Sequence, residues 1–105
     1  MTKRQLLARL VRGPIQVEAI RKLMCYRVAP HGERDPNAGV YLCLAPIGGE
    51  LVVLDYAMVH AHIDGKDVKL SYRETERIAA RLRRLFALGE LPTRTTLQSR
   101  GPRAR

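Results

Sequence analysis

The segment LVVLDYAMVHAHIDGKDVKLSYRETERIAARLRRLFALGEL, residues 51–91, decides the fold class because its hydrophobic period changes midway. Asp64-Gly65 suits a two-residue hairpin turn, whose central positions need positive φ. With these two residues as the loop, Ala61 falls opposite Val68, Val59 opposite Leu70 and Ala57 opposite Tyr72. On the other face His60 meets Lys69, His62 meets Asp67 and Met58 meets Ser71. Apolar side chains thus gather on one side and mostly polar ones on the other, as a half-buried hairpin requires.

From Ser71 onward the period becomes helical. Ser71 and Glu74 have the spacing of a capping box, and Gly89 and Pro92 supply the stop. At 100° per residue, Ile78, Leu82, Leu85 and Phe86 fall in one arc, and Arg73, Arg77, Arg81 and Arg84 in another. One face of this helix is suited to a core. The other offers four guanidinium groups to an anionic partner.

Working back toward the N-terminus, Val40–Ala45 reads as an apolar strand and Gly48-Gly49 as a second hairpin turn. Leu51–Ile63 then reads as one long strand, which places Tyr41 opposite Tyr56. Val28 to Gly39 contains Pro30, Gly32, Pro36 and Gly39 among charges and is predicted to be a loop. Two short helices are predicted before it. Thr2 and Gln5 cap the first, with Leu6, Leu7, Leu10 and Val11 on its apolar face. Gly13-Pro14 ends it, and Pro14 opens the second, which groups Val17, Ile20, Leu23 and Met24. The expected fold class is α+β: two short N-terminal helices, a three-stranded antiparallel meander and a C-terminal amphipathic helix packed on it. Residues 1–91 form a single domain in this reading, and residues 92–105 a basic flexible tail.

Charge is abundant and segregated. The 105 residues carry a formal net charge of +9, and 46% of them are apolar. Arginine outnumbers lysine fifteen to four, and arginine is the better bidentate phosphate ligand. Residues 1–34 hold eight Lys and Arg against two Glu, and residues 66–105 hold eleven against four acids. Residues 35–65 hold four acids and no Lys or Arg. Such a balance favours nucleic acid, an anionic surface or an acidic protein as partner. Cys25 and Cys43 belong to no Cys-x-x-Cys pattern and are expected to be reduced thiols of a cytoplasmic protein. The start of the chain has neither the apolar region nor the cleavage site of a signal peptide, and no apolar run approaches the ~18 residues of a membrane span.

Three stretches of the chain resemble parts of known families. LLARLVRGPIQVEAIRKL, residues 6–23, resembles the opening of winged helix-turn-helix regulators, but APHGERDPNAG follows where a recognition helix belongs. Over residues 14–91 the order helix, three strands, helix is similar to the double-stranded-RNA-binding domain. The chain departs from that family by lacking its consecutive lysines and by placing Glu74 and Glu76 in the final helix. His60-Ala61-His62-Ile63-Asp64 resembles the start of the HxHxDH motif of metallo-β-lactamase-like hydrolases, with Gly65 where the last His belongs. No metal site and no cofactor are expected.

His60, His62 and Lys69 share one strand face. They would serve either as a solvated, phosphate-binding surface or as the acid, base and charge stabiliser of a metal-independent ribonuclease. The leading expectation is a non-enzymatic nucleic-acid-binding protein, a regulatory or accessory factor of a bacterial or phage cytoplasm. Arg73, Arg77, Arg81 and Arg84 would contact phosphates, helped by Lys66, Lys69, the N-terminal basic residues and Arg94, Arg100, Arg103 and Arg105 of the tail. DNA and RNA are not distinguished. The alternative is a protein-interaction module, binding an acidic protein or pairing as a homodimer through a second apolar sheet face of Tyr41, Val52, Leu54 and Tyr56.

Overall fold

Residues 1–20 and 24–91 are described by the structure, a computed structural model. Helix α1 spans Lys3–Arg12 and is closed at its start by Thr2 and Gln5, each side chain accepting from the other's backbone N–H. Its buried residues are Leu6, Leu7 and Leu10. Strands β1 (Ile15–Ala19) and β2 (Cys25–Pro30) follow as an antiparallel pair that aligns Ile15 with Pro30 and Ala19 with Tyr26.

This pair corrects two expectations. The second N-terminal helix does not form, and part of the predicted loop is strand. In β1 the alternation Ile15, Gln16, Val17, Glu18 sends Ile15 and Val17 into the core, where they are 5% and 2% exposed. A five-residue strand satisfies that alternation completely, whereas a helix would leave Gln16 and Glu18 flanking the same apolar arc. The connection between β2 and the next strand is correspondingly shorter, His31 to Ala38.

Strand β3 (Gly39–Ile47) occupies the centre of the sheet. One of its edges pairs with β2, from Cys25↔Cys43 to Val28↔Val40. Its other edge pairs first with β4 (Glu50–Leu54) across the Gly48-Gly49 turn and then with β5 (His60–Ile63). The predicted long strand Leu51–Ile63 is therefore broken. Asp55 adopts a left-handed conformation with φ 52, and Tyr56–Met58 form a single 3-10 turn. The four residues bulged out at 55–58 shift the register, so Tyr41 faces His60 and not Tyr56. Strand β6 (Lys66–Lys69) completes the sheet with the expected pairs His60↔Lys69, Ala61↔Val68 and His62↔Asp67. The expected pairing of Met58 and Ala57 beyond them is absent, because those residues belong to the bulge.

Helix α2 spans Tyr72–Ala87, with the Ser71–Glu74 capping box formed in both directions. Gly89 ends it at φ 71, a left-handed position that only glycine takes without cost. Its buried side chains Thr75, Ile78, Ala79 and Leu82 lie on the arc expected from the sequence. They join α1 and one face of the sheet in a single core whose fully buried members include Leu6, Leu10, Leu44, Leu51, Ile78 and Leu82. Burial of each such side chain contributes about 1.5–3 kcal/mol. The class is α+β, with two helices and a six-stranded antiparallel sheet among the described residues in place of three helices and three strands.

Candidate nucleic-acid interface and the open sheet face

The two helices lie side by side and run in the same direction. Lys3 Nζ, in the first turn of α1, is 3.1 Å from Glu74 Oε1 in the first turn of α2. Further along, Arg81 Nη1 donates to the carbonyls of Leu10 at 3.0 Å and Gly13 at 2.8 Å. Contacts that advance together along both helices require parallel axes. The basic residues of α1 and α2 are thereby brought into one layer.

Within that layer the carboxylates are already engaged. Glu74 accepts from the Ser71 backbone N–H at 2.8 Å and from Lys3, and those contacts, the Ser71 one foremost, hold its pKa below the usual value. Glu76 accepts from the Tyr56 hydroxyl at 2.6 Å and from Arg83 at 2.9 Å, and in that order they lower its pKa. Helix α1 contains no acidic residue. Arg4, Arg9 and Arg12 of α1 and Arg73, Arg77 and Arg84 of α2 are all exposed, and none of the ion pairs among the described residues involves them. Lys3, Arg4, Leu7, Glu74 and Arg77 line a shallow groove between the helices.

Three of the four stripe arginines thus stand free on the solvent side. The fourth, Arg81, is turned toward α1, where a cation meets the partial negative charge of a helix C-terminus. In the sequence the α1 arginines count only as part of the N-terminal basic charge. The signal that distinguishes them is their position at the polar side of the Leu6, Leu7, Leu10 stripe. Lys66 and Lys69 are exposed on β6, on the other side of the hairpin from β5. Arg94, Arg100, Arg103 and Arg105, with the whole predicted tail, lie outside the described residues, as do Arg21 and Lys22.

The sheet face opposite the helices is only half covered. Tyr41, Cys43, Val52 and Leu54 are partly buried there, and Met58 is 59% exposed. Tyr56, expected among them, leaves this face at the bulge. It packs instead beside Tyr72, with ring centroids 4.9 Å apart, and bonds Glu76 on the helical side. Its hydroxyl is harder to ionise than usual, first through burial and then through Glu76. A pocket of ≈ 410 Å³ on the open face is lined by Ile20, Cys25, Tyr41, Cys43, Asp55, Met58 and His60, among others.

His60, His62 and Lys69 do share this face, as their register requires. His60 stacks on Tyr41 with ring centroids 5.3 Å apart and nearly parallel planes, and its Nδ1 lies 3.1 Å from the Met58 carbonyl. His62 Nδ1 donates to Asp67 Oδ1 at 2.8 Å, a bond that depresses the Asp67 pKa. Arg27 is 5% exposed and is held by Glu18 at 3.1 Å and by the Ala38 carbonyl. This face therefore carries charges of both signs, whereas the exposed charged residues of the two helices are all arginines. No cluster of three or more His, Cys, Asp or Glu able to hold a metal ion occurs among the described residues, and no helix among them is long and apolar enough to cross a membrane.

Comparison with protein-family models, curated proteins and solved structures returns no match.

Proposed function

We propose that the protein binds nucleic acid non-enzymatically through phosphate contacts made by the outer face of its two helices. One observation carries this reading: six exposed arginines, drawn from both helices, share a layer whose two α2 glutamates are engaged by other groups. Guanidinium groups match phosphate oxygens bidentately. A surface with a large excess of positive charge also steers a polyanion and releases its counterions. Phosphate contacts fix position and carry little base information, so binding is expected to be broad in sequence.

Titration of labelled duplex DNA and of single-stranded RNA across a salt series tests the proposal. If about six phosphates are neutralised, log affinity on duplex DNA falls with log salt at a slope of about −5. Affinity that is indifferent to salt overturns it.

A second reading is favoured by the open sheet face. Tyr41, Val52 and Leu54 there form an apolar surface that no helix covers among the described residues, which is the character of a protein interface, including a homodimer. A partner retained on the protein after nuclease treatment, and lost on Val52→Asp, supports this second reading. The helical-layer proposal predicts retention of nucleic acid in that same variant.

A further inference from the structure

Strands β2 and β3 bring the only two cysteines of the chain face to face. Cys25 and Cys43 are direct cross-strand partners. The kind of pair follows from the neighbouring hydrogen bond. The Leu44 N–H donates to the Met24 carbonyl at 2.8 Å, so residues 24 and 44, directly opposed in the same register, form a hydrogen-bonded pair. Hydrogen-bonded and non-hydrogen-bonded pairs alternate along an antiparallel ladder, which makes Cys25 and Cys43 a non-hydrogen-bonded pair.

That distinction decides whether the thiols can react with each other. In a non-hydrogen-bonded pair the Cα atoms are about 4.5 Å apart and the side chains approach more closely than in the alternate pair. A disulfide needs a Cα separation of about 4.4–6.8 Å with both Cβ vectors on the same side. The register supplies both conditions without moving either strand. No disulfide joins the two residues in this structure. Both are partly exposed, and both line the open ≈ 410 Å³ pocket, so a small oxidant has access. Met24, immediately before Cys25, has φ 62, and this left-handed residue turns the chain into β2 so that Cys25 lands in register with Cys43.

We infer that Cys25 and Cys43 form a redox-sensitive dithiol site, closed to a cross-strand disulfide by low-molecular-weight disulfides of the glutathione type. One cysteine, as thiolate, attacks the small disulfide, forming a mixed disulfide and releasing one small thiol. The opposed cysteine, after losing its proton, attacks the protein sulfur of that mixed disulfide and releases the second small thiol. Two protein thiols are oxidised by two electrons in all, and one small disulfide is reduced to two thiols. Because the second thiol sits beside the first, the mixed disulfide is short-lived in the parent protein.

The test uses the folded full chain incubated with oxidised glutathione. Remaining thiols are then trapped by alkylation in denaturant, and the intact mass is read. The expected product has lost both thiols together, carries no glutathione and weighs two hydrogens less than the reduced chain, with a peptide map joining Cys25 to Cys43. Cys25→Ser and Cys43→Ser should each instead accumulate a stable mixed disulfide on the remaining cysteine. A parent chain that acquires two glutathione adducts, stays fully reduced, or joins only to a second chain overturns the inference. The parent measurement stands alone if a single variant fails to fold.

Discussion

Arg81 and Leu10 are linked across the two helices: the guanidinium donates to the Leu10 carbonyl at 3.0 Å and, from the same nitrogen, to Gly13 at 2.8 Å. Those oxygens sit at the end of α1, where carbonyls lack intrahelical donors. Arg81 is thus a structural member of a row whose other members face solvent. Arg81→Ala should lower stability by about 1–3 kcal/mol, the worth of charge-assisted hydrogen bonds in a half-buried site. Arg77→Ala, at an exposed position, should stay within about 0.5 kcal/mol of the parent. Urea unfolding midpoints compare the two, and equal midpoints refute the assignment.

Gly39 opens β3 at φ 141, and a Cβ there would lie 2.7 Å from the Val28 carbonyl oxygen. The position is paired with His62 of β5, and its neighbour Val40 with Val28 of β2, so the backbone cannot retreat without loosening one of those strands. Gly39→Ala should therefore cost at least about 2 kcal/mol, from a disfavoured φ together with a backbone clash. A thermal melt that does not move would show that the two strands yield more easily than this packing implies.

Thr75 is 1% exposed in α2, and its hydroxyl has no hydrogen-bond partner among the described residues. An unsatisfied buried hydroxyl is destabilising relative to a methyl of the same shape. Thr75→Val should raise stability by about 1 kcal/mol. Denaturant titration checks the sign, and a loss of stability would mean that the hydroxyl finds a donor or acceptor in solution.

Glu76 provides a pH prediction. Its pKa is lowered from 4.5, first by the Tyr56 hydroxyl and second by Arg83. Glu74 is lowered in the same direction by the Ser71 backbone and Lys3. A carboxylate whose folded pKa is depressed gives stability that is present above the unfolded value and lost as pH falls through the folded one. Stability should accordingly decline on acidification below the ordinary glutamate range, and Glu76→Gln should flatten part of that decline. Unfolding free energies measured from neutral to acidic pH follow both curves. An identical acid limb in the variant would remove Glu76 from the account.

The parts of the fold that could be read from sequence are those where two independent signals coincide. Ser71 and Glu74 cap an arc of Ile78 and Leu82, and Asp64-Gly65 centres a register with apolar pairs on one side. Where a single signal stood alone, it misled. Val17, Ile20, Leu23 and Met24 fit helical spacing, yet Ile15, Val17 and Ala19 fit strand spacing equally, and a short apolar run does not choose between them. Tertiary pairing with β2 chose. The bulge was marked only by Asp55, a single acid in an otherwise apolar run from Leu51 to Val59, and one polar residue does not by itself interrupt a predicted strand. The same limit governs the site. Helical spacing placed Arg73, Arg77, Arg81 and Arg84 on one side, but only the position of α1 separates the engaged, half-buried guanidinium from the exposed ones. The opposition of Cys25 and Cys43 was hidden for the same reason as β2 itself.

The parallel placement of the helices makes the last prediction specific. If the outer face of the layer is the binding surface, the arginines of α1 matter as much as those of α2, although only the latter form a continuous row in sequence. Arg4, Arg9 and Arg12 are exposed, as are Arg73, Arg77 and Arg84. Replacing either trio with alanine should reduce the salt slope on duplex DNA by about 2–3, since each lost phosphate contact removes about 0.9. Stability should change little in either case, because none of the six takes part in an ion pair among the described residues. A slope that responds to the α2 trio but not to the α1 trio would confine the contact to one helix. A slope that responds to neither would leave the exposed arginines without a polyanionic partner.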